Sequence, residues 1–206
     1  LSMYPFKHLY PIGNQTIHLA GYSKFPIVSA RLLPVKSRYN AAIVYEMIIA
    51  GDTTTVINCH LESNKLTKED KVVYEDMLKA PETDKVKRGV KQLVRKLAEA
   101  SALRSSQADI IAKEIASSPY RHVIVCGDFN DTAISYSHRV IGENLDDAFT
   151  ESGKGLGISY NQNKFYFRID HILASDNLKP YNCTVDHSIK NSDHYPIWCS
   201  YVKKQN

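Results

Sequence analysis

The chain has 206 residues, of which 43% are hydrophobic and 23% are charged, the composition of an ordinary globular protein with a sizeable core. Its 26 lysines and arginines exceed its 22 aspartates and glutamates, and the net charge of +4 permits an anionic substrate without indicating nucleic acid. The sequence has no apolar run long enough to cross a bilayer and no signal-peptide pattern, so it leaves the cellular location open. We predict a single domain over residues 1–206, with buried free thiols at its four cysteines, which lie in apolar segments and show no C-x-x-C spacing.

The first sixty residues predict a loop-rich start followed by strands. Residues 1–25 are rich in aromatic side chains, and Gly13 and Gly21 mark turns. A strand begins at residues 25–28. Two runs of β-branched residues, 42–49 and 53–60, flank Gly51-Asp52 and predict a β-hairpin.

Two helices are predicted next. Residues 67–70 resemble a capping box that opens a short helix ending near Pro81. A long helical pattern covers residues 86–115 and weakens at 104–106. Its outer face is basic and is either a solvated surface or a contact for phosphates or anionic lipid. The cations of this face are Lys85, Lys87, Arg88, Lys91, Arg95 and Lys96.

Residues 123–131 are the centre of the predicted fold. Four apolar residues form a strand buried on both faces, and Gly127 ends it. Asp128 and Asn130 then follow at the carboxyl end of the strand, where open α/β folds place ligands. The alternative interpretation is simple turn chemistry that closes a core strand.

The last third predicts a short helix over residues 133–141 and more strands. Residues 153–157 are glycine-rich but lack the Gly-Lys-Ser/Thr ending of a phosphate loop, which favours a plain loop. Residues 165–173 alternate as one strand, with Arg168 and Asp170 on the same face. Two strands near 179–186 and 195–202 flank a loop at 192–194.

Four polar pairs are therefore expected at strand ends: Asn58/His60, Asp128/Asn130, Arg168/Asp170 and Asp193/His194. Each pair has a structural alternative, such as a core histidine, an Arg–Asp pair across a sheet face or a turn-forming aspartate. Together they offer oxygens for a hard cation, a carboxylate that can fix a histidine tautomer, and a second imidazole. Hydrolysis of a phosphate ester needs this combination.

The segments that carry these pairs resemble a known family. Residues 57–63, 125–130, 168–173 and 192–196 look like four ordered motifs of the endonuclease/exonuclease/phosphatase family, the fold of deoxyribonuclease I, exonuclease III and the neutral sphingomyelinases. Residues 21–27 resemble a preceding family strand, so the likeness runs from about residue 21 to the end. The resemblance implies an α/β (α+β) fold, a four-layer α/β/β/α sandwich of two packed, mostly antiparallel sheets.

The resemblance also implies roles for single residues. Asp128 would orient or deprotonate the attacking water, and Asn130 would place the scissile phosphate. His60 would contact the phosphate or protonate the leaving oxygen, with the phosphate-binding residue Asn58 beside it.

The remaining roles belong to the last two motifs. Asp170 would hold His194 as an Asp–His pair, and Asp193 would serve with Asp128 near the metal. The ion expected is Mg²⁺, with Mn²⁺ as a substitute, because the candidate ligands are oxygens.

The sequence departs from the family at its start. Family members begin with a strand, a helix and a second strand whose final glutamate is the principal metal ligand, and residues 1–25 do not match these elements. We therefore expect an N-terminally truncated fold with weak metal binding and little turnover, and self-association that covers the incomplete sheet. Neither Glu46 nor Glu62 is expected to replace the missing ligand.

The function predicted is that of a metal-dependent phosphoesterase, in particular a phosphodiesterase that uses in-line attack by water. The alternatives are a binding or scaffold module that keeps the fold without catalysis, and a plain α/β domain with coincidental motifs. The substrate stays open between nucleic acid, nucleotide and phospholipid. The resemblance also raises a membrane anchor upstream of the sequence as an open alternative.

Overall fold

A computed structural model describes residues 2–13, 17–79, 84–162 and 165–204. Its strands are β1 (Phe6–Ile12), β2 (Ile17–Ser23), β3 (Ile27–Leu32), β4 (Ala41–Ile49), β5 (Asp52–His60), β6 (His122–Asp128), β7 (Asp146–Asp147), β8 (Tyr160–Gln162), β9 (Phe165–Phe167), β10 (Asp170–Ala174), β11 (Leu178–Val185) and β12 (Ile197–Lys203). Its helices are α1 (Lys68–Lys79), α2 (Asp84–Ser117), α3 (Tyr136–Ile141) and α4 (Ala148–Ser152). The mixed α/β class is confirmed.

A six-stranded sheet with the order β3-β4-β5-β6-β10-β7 forms the centre of the fold. Its neighbours pair antiparallel except β5 and β6, which run parallel because α1 and α2 lie in the crossover between them. The predicted hairpin β4–β5 is confirmed. Its turn is Ala50-Gly51, one residue earlier than expected, because Asp52 already pairs with Ile49 and both turn residues have positive φ, 50° and 89°.

Helices α2 and α3 cover one face of this sheet, and small sheets, together with α4, cover the other. Ile57 and Cys59 of β5 pack in a core with Ala108 and Ile111 of α2. The alternate residue, Asn58, faces away and donates a hydrogen bond to a carbonyl of β2. On that side β1–β2 and β11–β12 form two separate two-stranded sheets among the described residues. The complete four-layer sandwich and the self-association stay predictions.

The predicted short helix and the predicted long helix are both present. The amide of Asp70 donates to Thr67 Oγ1 over 3.3 Å and the amide of Thr67 donates to Asp70 Oδ2 over 2.8 Å, a reciprocal cap that starts α1. Pro81 lies outside the described residues. Helix α2 continues through residues 104–106, and the described helices include none that is long and apolar enough to cross a membrane.

The predicted loop over residues 1–25 is wrong. Residues 6–12 and 17–23 pair as a hairpin in which Gly21 lies opposite His8. The pattern escaped recognition because Pro11 and Gly21 interrupt it, yet a two-stranded sheet tolerates proline at its edge. A Cβ on Gly21 would lie 3.0 Å from the Tyr45 ring, so the glycine leaves room for that ring.

The single strand predicted for residues 165–173 is also wrong. It is divided into β9 and β10, which belong to different sheets. The chain bends between them because the buried hydroxyl of Ser159 accepts hydrogen bonds from the amides of Ile169 and Asp170, both over 3.1 Å. These two backbone amides are therefore bound to a side chain, while the Ile169 carbonyl accepts from the Phe129 amide over 2.8 Å.

Candidate active site

The register of the central sheet brings the predicted residues together. Asp128, the last residue of β6, lies opposite His60 in the parallel pair with β5 and opposite Asp170 in the antiparallel pair with β10. His60 Nε2 is 3.5 Å from Asp128 Oδ2. Three residues from distant parts of the sequence therefore share one edge of one sheet.

Gly127 lets β6 approach β5 at this edge. Its φ is +143°, and a Cβ there would lie 1.8 Å from the carbonyl oxygen of Cys59. Any other residue would push the two strands apart. The glycine is therefore required for the position of Asp128 beside His60.

Asn130 holds Asp128 in place. It has a positive φ of 51°, a conformation that asparagine tolerates better than most residues. Its amide N–H donates to Asp128 Oδ1 over 2.8 Å, and its Nδ2 donates to Asp128 Oδ2 over 3.1 Å and to the Leu61 carbonyl over 3.0 Å. In this arrangement Asn130 positions the carboxylate, and a contact from Nδ2 to phosphate would require one of these bonds to open.

Asp170 and His194 form the expected pair. His194 Nδ1 donates to Asp170 Oδ2 over 2.7 Å, and Nε2 of the same ring lies 3.9 Å from Asp128 Oδ2. The carboxylate holds the proton on Nδ1 and so leaves Nε2 on the side of Asp128. Tyr160 packs edge-on against the His194 ring at 5.1 Å between centroids and pairs with it through a β-bridge.

Burial and neighbouring charge shift the proton affinities of this cluster. Burial, together with the nearby Asp170 carboxylate, raises the pKa of Asp128 to about 7. Burial and the His194 charge lower the pKa of His60. Burial opposes protonation of His194, but the hydrogen bond and charge of Asp170 outweigh it and raise that pKa. Near neutral pH, Asp128 is therefore poised between its two protonation states.

The family implies a divalent cation, and the residues present fit one. One ligand atom each of Asp128, Asp170 and His194 lie within 4.8 Å of one another. Burial, and after it the charge of Asp170, disfavour the ionised form of Asp128 and raise its pKa, a cost that a cation would offset. Carboxylate oxygens are also the ligands that Mg²⁺ and Mn²⁺ prefer.

Asp193 and Asn58 occupy more peripheral positions. Asp193 is exposed, lines the same cavity as His60 and His194, and accepts a hydrogen bond from Ser192. Asn58 lies apart from the cavity lining, because its Nδ2 donates to the Ala20 carbonyl over 3.1 Å.

The glutamates do not complete the cluster. Glu62 is 3% exposed, accepts a hydrogen bond from Ser37 over 2.7 Å and pairs with Lys65 at 2.5 Å. Glu46 lies within β4, opposite Ser29 and Thr55. Among the described residues, the candidate metal cluster at this sheet edge therefore has two carboxylates and one imidazole.

Arg104 is a cavity residue that the sequence did not reveal. It lies in the stretch where the apolar pattern of α2 weakens, and it is 3% exposed. Its Nη1 donates to the Glu62 carbonyl over 2.9 Å and to Asn64 Oδ1 over 2.8 Å, and its Nε lies 2.9 Å from Asp131 Oδ2. The one available signal was an arginine at a helix position where the pattern expects an apolar residue.

Arg168 does not pair with Asp170, so the Arg–Asp pair considered from the sequence is wrong. Its Nη1 donates to both oxygens of Asp147, over 3.0 and 2.8 Å, and to His171 Nδ1 over 3.2 Å. Asp147 also accepts a hydrogen bond from His138 Nε2 over 2.8 Å. These residues form a second cluster of carboxylate and imidazole groups, which the sequence did not indicate because its members stand far apart in it.

Comparisons with known proteins bear on the family and the fold of this chain. The sequence model of the endonuclease/exonuclease/phosphatase family matches residues 20–194, close to the start predicted for the likeness. A comparison with curated protein sequences gives no significant match.

Solved structures share the fold at low identity. Truncated TDP2 of Caenorhabditis elegans has a TM-score of 0.64 and 19% identity, over 97% of this chain and 75% of that one. D. rerio TDP2 in complex with a single-strand DNA product has a TM-score of 0.66 and 17% identity, over 98% of this chain and 78% of that one. A mannosyl-6-phosphatase of Bacteroides thetaiotaomicron has a TM-score of 0.59 and 17% identity, over 96% of this chain and 78% of that one. With the family match over most of its length, the chain belongs to the endonuclease/exonuclease/phosphatase family.

Proposed function

We propose that the chain is a metal-dependent phosphodiesterase that hydrolyses its substrate by in-line attack of water. Members of its family are hydrolases of phosphoester bonds. One observation carries the proposal. The Nε2 atoms of His60 and His194 both lie near the Asp128 carboxylate at the wall of one cavity, and Asp170 holds the His194 ring in place. Two imidazoles and a carboxylate with a raised pKa supply the proton transfers that ester hydrolysis needs.

Each group has a proposed task. Asp128 orients the attacking water and accepts its proton, for which a pKa of about 7 is well matched at neutral pH. His194, charged through its pair with Asp170, stabilises the negative charge that develops on the phosphoryl oxygens. His60 donates a hydrogen bond or a proton to the leaving oxygen, and Asn130 keeps Asp128 aligned.

A divalent cation, Mg²⁺ or Mn²⁺, would be held by Asp128 and Asp170 with help from Asp193 at the rim. When bound, such an ion stabilises negative charge on the phosphate. Mg²⁺ favours six oxygen ligands and keeps waters where the protein supplies few, so two or three carboxylates predict weak affinity. We therefore expect low turnover by the 206 residues alone.

A second candidate is a binding module without catalysis. The observation that favours it is the same small ligand set, since Glu62 is occupied by Ser37 and Lys65 and adds no carboxylate to the cluster. Such a module would bind phosphoesters through His60 and His194 without cleaving them.

Hydrolysis of bis(p-nitrophenyl) phosphate separates the two candidates. We expect slow release of nitrophenol that rises with Mg²⁺ or Mn²⁺ and is lost with chelator and in His194→Ala. Turnover equal in the wild type and His194→Ala would reject the site. Binding of the ester without any hydrolysis at saturating Mn²⁺ would favour the binding module.

The neighbours suggest two substrate classes to compare first. The TDP2 structure holds a single-strand DNA product, and another neighbour is a sugar-phosphate phosphatase. Single-stranded DNA and a hexose 6-phosphate therefore belong in the first screen, beside RNA, nucleotides and phospholipid esters. The basic outer face of α2, with exposed Lys87, Arg88 and Lys91, is the proposed contact for a polyanionic partner.

A further inference from the structure

The cavity at the catalytic cluster extends well beyond it. It has a volume of about 870 Å³ and continues from His60 and His194 along α1 and α2. Helix α2 lines it with Leu93, Leu97, Ser101 and Arg104, which are spaced by four, four and three residues and so follow one helix face. At 1.5 Å per residue this stripe is about 16 Å long.

The stripe changes character along its length. Arg104 lies at the catalytic end, where it binds the loop that carries Asn64. Leu93 and Leu97 lie at the other end, facing a cavity that Leu66, Tyr74, Phe165 and Phe167 also line. We call this end the apolar arm. The lining of the whole cavity also carries polar groups, among them Ser63, Lys65, Lys71, Ser101 and the Tyr74 hydroxyl.

The apolar arm has a packed floor and exposed walls. Leu93 and Phe165 are 7% and 9% exposed, whereas Leu97 and Phe167 are 36% and 40% exposed. Apolar wall surface beside a polar reaction centre remains in contact with water. A ligand that covers it gains the free energy of removing that surface from water.

We propose that the apolar arm is a specificity subsite for an extended apolar substituent, an alkyl or acyl chain, on the phosphoester that the catalytic cluster cleaves. The inference rests on the proposed function for the position of the phosphate, which lies among His60, Asp128 and His194. The chain then runs along α2 past Ser101 to Leu97 and Leu93. The substrate is thus an amphiphilic phosphodiester.

The aromatic rings of the arm favour a chain over a nucleobase. Base recognition on aromatic residues uses a free ring face for stacking, with polar groups placed at the edge of the base. The rings of Tyr74 and Phe165 already face each other, with centroids 4.6 Å apart and planes tilted by 31°. One face of each of these two rings is therefore occupied and Phe165 is only 9% exposed, which leaves little free ring face for a base at this pair.

A substrate series tests the proposal by kinetics. The substrates are ethyl, butyl, hexyl and octyl p-nitrophenyl phosphate, below their micelle concentrations, and thymidine 5′-p-nitrophenyl phosphate as the nucleoside arm. Burial of methylene groups predicts that kcat/KM rises roughly three- to fourfold per CH₂. A flat alkyl series, or a nucleoside ester cleaved faster than the octyl ester, overturns the proposal.

Two leucines on α2 supply matched variants. Leu97 is 36% exposed and lines the cavity, while Leu103 is 43% exposed and lies outside the lining. We expect Leu97→Gln to lower kcat/KM about tenfold for the octyl ester and less than twofold for the ethyl ester. Leu103→Gln should preserve the whole series. Equal effects of the two variants contradict a subsite at the arm.

Binding separates failure of the arm from failure of catalysis. Titration calorimetry with butyl, hexyl and octyl phosphate needs no turnover. The octyl ester should bind the wild type at least tenfold more tightly than the butyl ester does, and it should bind Leu97→Gln about tenfold more weakly than it binds the wild type. If no ester is hydrolysed but this trend holds, the proposed function fails and the subsite stands. If hydrolysis occurs while the affinities show no trend, the subsite fails alone.

Discussion

Two clusters of carboxylate and imidazole groups lie at the central sheet. The charges of one are not balanced by groups of the protein, and those of the other are. Asp128, Asp170 and His194 form one, at the cavity. His138, Asp147 and His171 form the other. Both bring three ligand-type atoms within 4.8 Å, so their composition alone does not tell them apart.

The second cluster contains an arginine, Arg168, that binds its carboxylate directly. In the second cluster, burial opposes ionisation of Asp147, but the hydrogen bond from His138 and the charge of Arg168 outweigh it and lower the pKa of Asp147 well below its usual range. Burial and the His138 charge lower the pKa of His171 to about 3, so it is neutral, accepts from Arg168 and donates to the Asp131 carbonyl over 2.9 Å. Every charge there has a partner in the protein.

The cavity cluster keeps an unbalanced charge. Burial and the neighbouring Asp170 carboxylate raise the pKa of Asp128 to about 7, and the charges of His194 and Arg104, which act in the opposite direction, do not outweigh them. An unbalanced charge beside a cavity is available to a ligand, whereas a balanced one holds the fold together. The comparison therefore supports the proposed chemistry at the cavity cluster and predicts a structural role for the other cluster.

The largest expected difference is in turnover. Removing the imidazole of His194 should lower kcat/KM by about 10²–10⁴-fold, because the general acid–base or charge-stabilising group is lost. His138→Ala, in the other cluster, should keep kcat/KM within about threefold when assayed at a temperature where the variant is folded. Circular dichroism of both variants verifies the fold, and equal losses of activity would contradict the division of roles.

The next largest effect concerns stability. Arg168→Met leaves the buried Asp147 without its arginine partner and should lower the free energy of unfolding by about 3–5 kcal/mol in urea. Arg139→Met, which removes an exposed arginine that rests 5.9 Å above the Tyr136 ring, is the matched control and should cost about 1 kcal/mol or less. A small loss in Arg168→Met would mean that Asp147 is not held as a buried charge.

The pH dependence of stability should separate the clusters further. Asp128 has a folded pKa of about 7 against 3.8 unfolded, so the folded state binds the proton more tightly and stability is lost as pH rises through about 7. His194, whose folded pKa is also raised, changes stability in the same direction. In chelator, the free energy of unfolding of Asp128→Asn should therefore exceed that of the wild type by about 1–3 kcal/mol at pH 8, and the two should match only below about pH 4, where folded and unfolded Asp128 are both protonated.

Asp147→Asn should show the opposite trend. Its folded pKa is lowered, so its contribution is present at neutral pH and is lost in the wild type as pH falls below the unfolded value. Urea titrations of both variants at several pH values provide the measurement. Parallel pH profiles for the two variants would remove the contrast between the clusters.

The smallest expected effect is that of the cation. Mg²⁺ or Mn²⁺ at ten times its dissociation constant should stabilise the wild type by about 1.4 kcal/mol at pH 8, and Asp128→Asn much less. Asp193→Asn should weaken cation affinity, whereas Asp176→Asn, at an exposed turn outside the cavity lining, should not. Cation stabilisation that survives Asp128→Asn would relocate the metal, for instance to the second cluster.

Local patterns in the sequence determined much of the fold. The β4–β5 hairpin, the capped start of α1 and the length of α2 follow from interactions between residues close in sequence. The β1–β2 hairpin and the bend before β10 do not follow from local patterns. Gly21 in the hairpin leaves room for the Tyr45 ring and the bend is bound by the Ser159 hydroxyl, and both of these residues come from other parts of the chain.

The candidate site divides in the same way. Strand ends and motif order identified His60, Asp128, Asp170 and His194 as residues, but only strand register placed His60 and Asp170 on either side of Asp128. Arg104 became a cavity residue, and Arg168 became the partner of Asp147, only in the folded chain. Sequence determined which chemical groups are present because side-chain type is local. Tertiary structure decided which charges are balanced because that depends on distances between residues far apart in the chain.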